Sequence, residues 1–148
     1  MKKFTFSLES VKGYKEQLLD NLKMEHAAIL AEVEDQKSLI RGMEETERLV
    51  NEELNEKNSM GILPHEYANY RRYLKVLEND IKLEHEKLLA LKRKEEDKRV
   101  EVVEMKKETS TLEKLEEKKL EEYNDLALKA QELFIEEFVS NQKYAARR

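Results

Sequence analysis

Acid–base or metal chemistry in this sequence would have to start from His26, His65 and His85, and their spacing supports neither. A helical zinc site needs two histidines four residues apart with a glutamate after the first, and no such set occurs. None of the three lies beside a nucleophile constellation. Cysteine is absent, which removes disulfides and thiolate metal ligands. Carboxylates are plentiful, but they are interleaved with lysine and arginine as along a solvated helix face, so they read as charge lacing. No glycine-rich loop is present to cradle a phosphate. The expectation is a protein that is not an enzyme, with no catalytic residue, cofactor or metal. The informative group is aromatic. Tyr67, Tyr70 and Tyr73 cluster with Arg71 and Arg72, which reads equally as a rigid aromatic plug at the tip and as a docking surface, since tyrosine and arginine are residues that interfaces favour.

Long helices must carry these side chains. Charged residues make up 41% of the chain and hydrophobic ones 39%, with three glycines, one proline and no tryptophan. That is the composition of a coiled coil, and apolar spacing decides it against disorder. In the first arm Leu8, Val11, Leu18, Leu22, Ile29, Val33, Ile40, Met43, Val50 and Leu54 are joined by Lys15, His26, Gln36 and Glu47 in steps of three and four. One stutter is expected, at Leu18–Leu22–His26. The second arm steps without a break through Tyr67, Tyr70, Leu74, Leu77, Ile81, Glu84, Leu88, Leu91, Glu95, Lys98, Val102, Met105, Thr109 and Leu112. Its stripe continues through Glu116, Leu120, Tyr123, Ala127, Ala130, Phe134 and Phe138. Both arms carry the narrow stripe of knobs-into-holes packing.

Gly61 and Pro64 fall together between the arms. Glycine admits a positive φ, and proline suits the first turn of a helix. The short connection favours an antiparallel hairpin. The fold expected is therefore all-α: a long two-helix antiparallel coiled-coil hairpin with an overhanging C-terminal helix. It forms a single domain over 1–148, with a helix arm over about 4–58, a tip over 59–64 and a second arm over about 65–143. One register aligns nearly the whole seam. Leu54 with Tyr70, Val50 with Leu74, Met43 with Ile81, Val33 with Leu91 and Phe4 with Leu120 all have numbers adding to 124. Polar seam residues are expected to snorkel outward from their apolar partners. Two layers are wholly polar, His26 with Lys98 and Lys15 with Thr109. His26 is then a register-setting seam residue, His65 a tip residue and His85 a solvated neighbour of the seam. Phe4 and Phe6 staple the first arm onto Leu120 and Tyr123.

The register exhausts the first arm at Phe4 while the second continues for more than twenty residues. Leu126, Ala127, Ala130, Leu133, Phe134, Phe138 and Val139 then form an apolar face without a partner in the chain. Such a helix frays, self-associates or binds another protein. The net charge of -5 with both signs interleaved offers no basic stripe for nucleic acid. The mixed run from Lys92 to Arg99 reads as a solvated face. No run approaches the ~18 apolar residues of a membrane span, and the N-terminus lacks a signal-peptide core. The expected location is cytoplasmic, without membrane insertion.

Specific segments resemble a known family. Phe4, Phe6, Leu8, Glu9 and Val11 resemble the opening of the FliJ family of flagellar export proteins. The turn from Gly61 through Tyr67, leading into Tyr70-Arg71-Arg72-Tyr73-Leu74, is similar to its turn. Leu112 through Tyr123 is similar to its charged second-helix segment. A departure is Leu63, an apolar residue at the cap position before Pro64 where polar caps are usual. The resemblance implies a coiled coil similar to the shaft of a rotary ATPase, part of the flagellar type III export apparatus and so of motility and chemotaxis. The implied partners are the hexameric export ATPase, the cytoplasmic domain of the export gate and substrate–chaperone complexes. The implied place is peripheral, at the cytoplasmic face of the plasma membrane. Tyr67, Tyr70, Arg71, Tyr73, Leu74 and Leu77 at the tip are expected to bind the gate. Leu126, Ala130, Leu133, Phe134 and Phe138 at the ends are expected to bind the ATPase. A rival class is a generic chaperone-like or tethering coiled coil, which a stable parallel dimer would favour. A second rival, an RNA-docking arm, is disfavoured by the charge.

Overall fold

The structure is a computed structural model that describes residues 2–147. It is all-α: helix α1 runs Glu9–Met60 over 52 residues, helix α2 runs Pro64–Ala146 over 83, and the described residues contain no strand. The two helices pack against each other, antiparallel, through the seam residues. Contacts divide the chain into two units. One is Asn21–Val102, which holds the turn; the other joins Met1–Asp20 to Val103–Arg148 and holds both ends.

The turn is shorter than the 59–64 expected. α1 continues to Met60, where Gly61 takes φ 102 and stops it. The Ser59 hydroxyl donates to the Glu56 carbonyl at 2.7 Å, satisfying one acceptor of the last turn. Pro64 is the first residue of α2, and the Leu63 carbonyl accepts the Tyr67 N–H at 3.0 Å. Leu63 therefore caps through its backbone, which is why an apolar side chain is tolerated there.

In the unit Asn21–Val102 the core is a cluster of Ile29, Val33, Ile40 and Leu88 with Leu91 packed against it. Leu54, Leu74, Ile81 and Val102 are also buried. Every one belongs to the seam read from the sequence. Two pairs of polar seam residues, Gln36 with Glu84 and His26 with Glu95, depart from the snorkelling expected and turn along the seam to one another. Gln36 donates to the Glu84 carboxylate at 2.6 Å and to its backbone carbonyl at 3.0 Å. That bond, with a second from Lys87, holds the Glu84 carboxyl below its ordinary pKa. His26 Nε2 lies 2.9 Å from Glu95 Oε1, while Lys98 turns to Glu25 at 2.8 Å. The wholly polar layer expected of His26 and Lys98 is thus resolved into two diagonal pairs, each worth little in stability and more in register. His85 is about half exposed and bonded to Glu44 at 3.2 Å.

In the unit holding the ends, the seam corrects the sequence reading. Leu19 is buried and Lys12 half-buried, whereas Val11 is exposed. The seam of this unit therefore runs Leu8, Lys12, Lys15, Leu19 in regular steps of four and three, and in the sequence Leu22 follows at the next step of three, so no stutter is needed. Lys12 remains in this stripe because its ammonium reaches Glu116 at 2.5 Å, a hydrogen bond that raises its pKa. Lys15 reaches Glu108 at 2.9 Å, and the buried Thr109 hydroxyl donates to its own helix at Met105. α1 begins at Glu9 rather than near residue 4. Residues 2–8 form a strap instead. Phe6 is buried, and Phe4 stacks at a tilt on Tyr123 with centroids 5.6 Å apart. The Tyr123 hydroxyl donates to the Lys2 carbonyl at 2.5 Å. Leu120, expected to face Phe4, stays 40% exposed because Phe4 has moved on to Tyr123.

A crosslink checks this register. Cysteines at Val50 and Leu74 should form a disulfide within one chain, since facing seam positions bring their Cβ atoms into range. Under oxidising conditions a faster-migrating monomer is expected on a non-reducing gel. Exclusively intermolecular dimers would refute the hairpin.

Candidate functional site

Two surfaces carry the side chains singled out in the sequence. Near the turn, Tyr70 is half-buried and held by its hydroxyl, which accepts from Lys57 at 2.7 Å and donates to Glu53 at 3.0 Å. The Lys57 ammonium also lies 5.1 Å from the Tyr70 ring centroid. Its pKa is raised, first by the hydrogen bond to Tyr70. This locks the two helices just below the turn and uses Tyr70 structurally. Leu74 is buried in the seam and Leu77 half-buried, so neither offers much surface. Tyr67, Arg71 and Tyr73 are exposed.

The exposed three do not form one patch. Tyr73 lines an apolar hollow of about 310 Å³ with Val50, Asn69 and Tyr70. Arg71 lines a different, polar hollow of about 160 Å³ with Glu47, Asn51, Leu74, Lys75 and Glu78. Residues two apart on a helix diverge by roughly 200°, so the tip presents an aromatic side and a charged side.

The second surface is the end of α2. Beyond Tyr123 the only described residue that is not exposed is Ala127. Leu126, Leu133, Phe134 and Phe138 are all more than half exposed, Phe134 the most at 69%, and Ala130 lies among them. Leu128, Ile135 and Val139 are exposed as well. Leu128 and Ile135 escaped the sequence reading because they lie outside the continued seam stripe; a helical wheel of this segment alone reveals them. Asp125, Lys129, Glu132, Glu136 and Lys143 recur in steps of three, four and seven, which gathers the charge into one strip. Only Glu137 breaks the pattern. The apolar arc is therefore far wider than a two-helix seam needs.

Among the described residues no three His, Asp or Glu side chains are grouped to hold a metal ion. No helix there is long and apolar enough to cross a membrane. The sequence matches the family described as "Flagellar FliJ protein" over residues 4–148. Comparison with curated proteins finds no match, and comparison with solved structures finds none. The family match takes in the strap, both helices, the turn and the overhang together. This all-α coiled-coil chain belongs to the FliJ family and is a protein of flagellar export.

Proposed function

We propose that the chain is a shaft-like coiled coil that links the export ATPase ring to the membrane export gate and assists export of flagellar substrates, working at the cytoplasmic face of the plasma membrane. The observation that carries this role is the overhang. A helix with a narrow apolar stripe fits one partner helix, as the seam does. A helix whose charges, Glu137 apart, keep to one strip is suited to enclosure on several sides. Leu126, Ala130, Leu133, Phe134 and Phe138 on one flank, with Leu128 and Ile135 on the other, suit entry into a ring of subunits. The ends of the chain meet the ATPase in this scheme, and the tip residues Tyr67, Tyr70, Arg71, Tyr73, Leu74 and Leu77 meet the gate. Leu74 acts there by holding the seam. Substrate–chaperone complexes are the further partners of the same apparatus.

The gate contact is tested with Tyr73→Ala and Arg71→Ala, singly and together, titrated against the purified cytoplasmic domain of the gate. Both side chains are exposed, so helicity should be unchanged. The double variant should bind about tenfold more weakly, the loss expected of an interface tyrosine or arginine. Stimulation of the ATPase should remain. Unchanged gate affinity in the double variant would remove the tip from the contact.

A further inference from the structure

In the unit Asn21–Val102, large exposed apolar side chains gather on one flank of the helix pair, five against Leu30 and Leu89 on the other. On α2, Tyr73, Val76 and Leu83 recur at helical spacing beside the seam, and each is at least half exposed. On α1, Leu39 and Leu49 are about half exposed, and Gly42 between them has open space where a Cβ would stand. Leu39 directly precedes the seam residue Ile40, and Tyr73 directly precedes Leu74. In an antiparallel coiled coil such positions meet on the same flank. Glu44 and His85, which each follow a seam residue, meet by the same rule on the other flank, and their hydrogen bond places them there.

The surface hollows follow this division. Tyr73 lines an apolar hollow, and farther along the same flank Lys87, Ala90 and Lys94 border a second one floored by Gln36 and Leu91. The hollow on the other flank is bordered by Glu47, Asn51, Arg71 and Glu78. Solvent alone gives no reason to keep one flank apolar. Two helices with a closed seam and one apolar flank present two faces of a three-helix bundle. The charge along its α1 edge is of one sign. That edge carries Glu32, Asp35, Glu53 and Glu56 with no lysine or arginine at the intervening edge positions, while its α2 edge is mixed, with Lys87 and Lys94 among Asp80, Asp97 and Glu101.

We propose that this flank is a docking groove for one amphipathic helix of a partner protein, which lies between Leu39 and Leu49 on one side and Tyr73, Val76 and Leu83 on the other, with basic residues along the edge that meets α1. Main-chain polarity is satisfied within the incoming helix, so its apolar anchors supply affinity and its basic edge fixes orientation. The groove shares Tyr73 with the tip surface and to that extent rests on the tip being a contact. Leu39, Leu49 and Leu83 lie outside that surface, and the test falls on them.

Two synthetic helical peptides with identical apolar heptads, one edged with lysine and the other with glutamate, are titrated into the full-length chain by fluorescence anisotropy. The lysine-edged peptide should bind about tenfold or more tightly at low salt, with the advantage shrinking as salt rises. Leu49→Glu with Leu83→Glu should abolish its binding while leaving the far-ultraviolet circular dichroism intact. Equal affinity of the two peptides, binding of neither, or binding that survives the double variant would overturn the groove. Sedimentation showing a dimer of the unmodified chain that the same variant dissolves would give the flank to a second copy and overturn it also. The gate affinity of Tyr73→Ala is measured separately, so failure of the tip contact and failure of the groove are told apart.

Discussion

A chain ending at Tyr123 is expected to fold as the intact chain does and to lose its stimulation of the export ATPase. The last contacts between α2 and the start of the chain are those of Tyr123 with Phe4 and Lys2. Among the described residues beyond them only Ala127 is even half-buried, so removing the remainder opens no core. What is removed is a series of large exposed apolar side chains, from Leu126 to Val139. Each contributes roughly 1.5–3 kcal/mol when fully buried at an interface, before the costs of association are subtracted. Several together amount to most of the binding free energy of an ordinary complex, so their loss should abolish stimulation. ATP hydrolysis is measured against rising concentrations of the intact and shortened chains, with thermal unfolding followed in parallel. Phe134→Ala with Phe138→Ala in the intact chain should fall between the two. A shortened chain that stimulates as well as the intact one would move the ATPase contact away from the overhang.

The parts of the fold legible in the sequence are those fixed by one physical rule each. Seam burial follows from steps of three and four, which is why Ile29, Val33, Ile40, Leu74, Ile81, Leu88 and Val102 could be placed before any coordinates. The turn follows from the φ freedom of Gly61 and the fixed φ of Pro64. Misplacements arose where two rules competed. At Val11 and Lys12 the apolar residue was preferred over the regular step, yet the step prevailed, because a lysine stem packs in the seam while its ammonium reaches Glu116. Leu18 in place of Leu19 follows from the phase that Val11 sets, since both residues are leucine. At residues 4–8 the alternation of Phe4, Phe6 and Leu8 was absorbed into a helix, although those apolar residues are two apart; the chain is non-helical there and lies on α2 as a strap. The split of the tip into an aromatic and a charged side was readable from the separation of Arg71 and Tyr73 along the helix. Clustering in sequence concealed it.

Shortening Ile40 to alanine should be among the most damaging single truncations in the unit Asn21–Val102, and shortening Leu39 among the least. The two residues are neighbours of near-equal size, but Ile40 is 3% exposed and Leu39 49%. Ile40 packs in the cluster with Ile29, Val33 and Leu88. Its loss removes buried methyl groups and leaves a cavity in a seam only two helices thick, costing about 2–4 kcal/mol. The neighbouring bond from Gln36 to the Glu84 carboxylate would then face water, weakening the register contact it provides. Leu39→Ala removes apolar surface that is already half solvated, and its effect should stay within about 0.5 kcal/mol. Urea unfolding followed by circular dichroism reads both, and the difference between their midpoints reports the phase of α1 about its own axis. A comparable loss from the two truncations would mean that α1 is rotated relative to α2. Leu39 would then belong to the seam, and the apolar flank that it shares with Tyr73 and Leu83 would cease to be a groove.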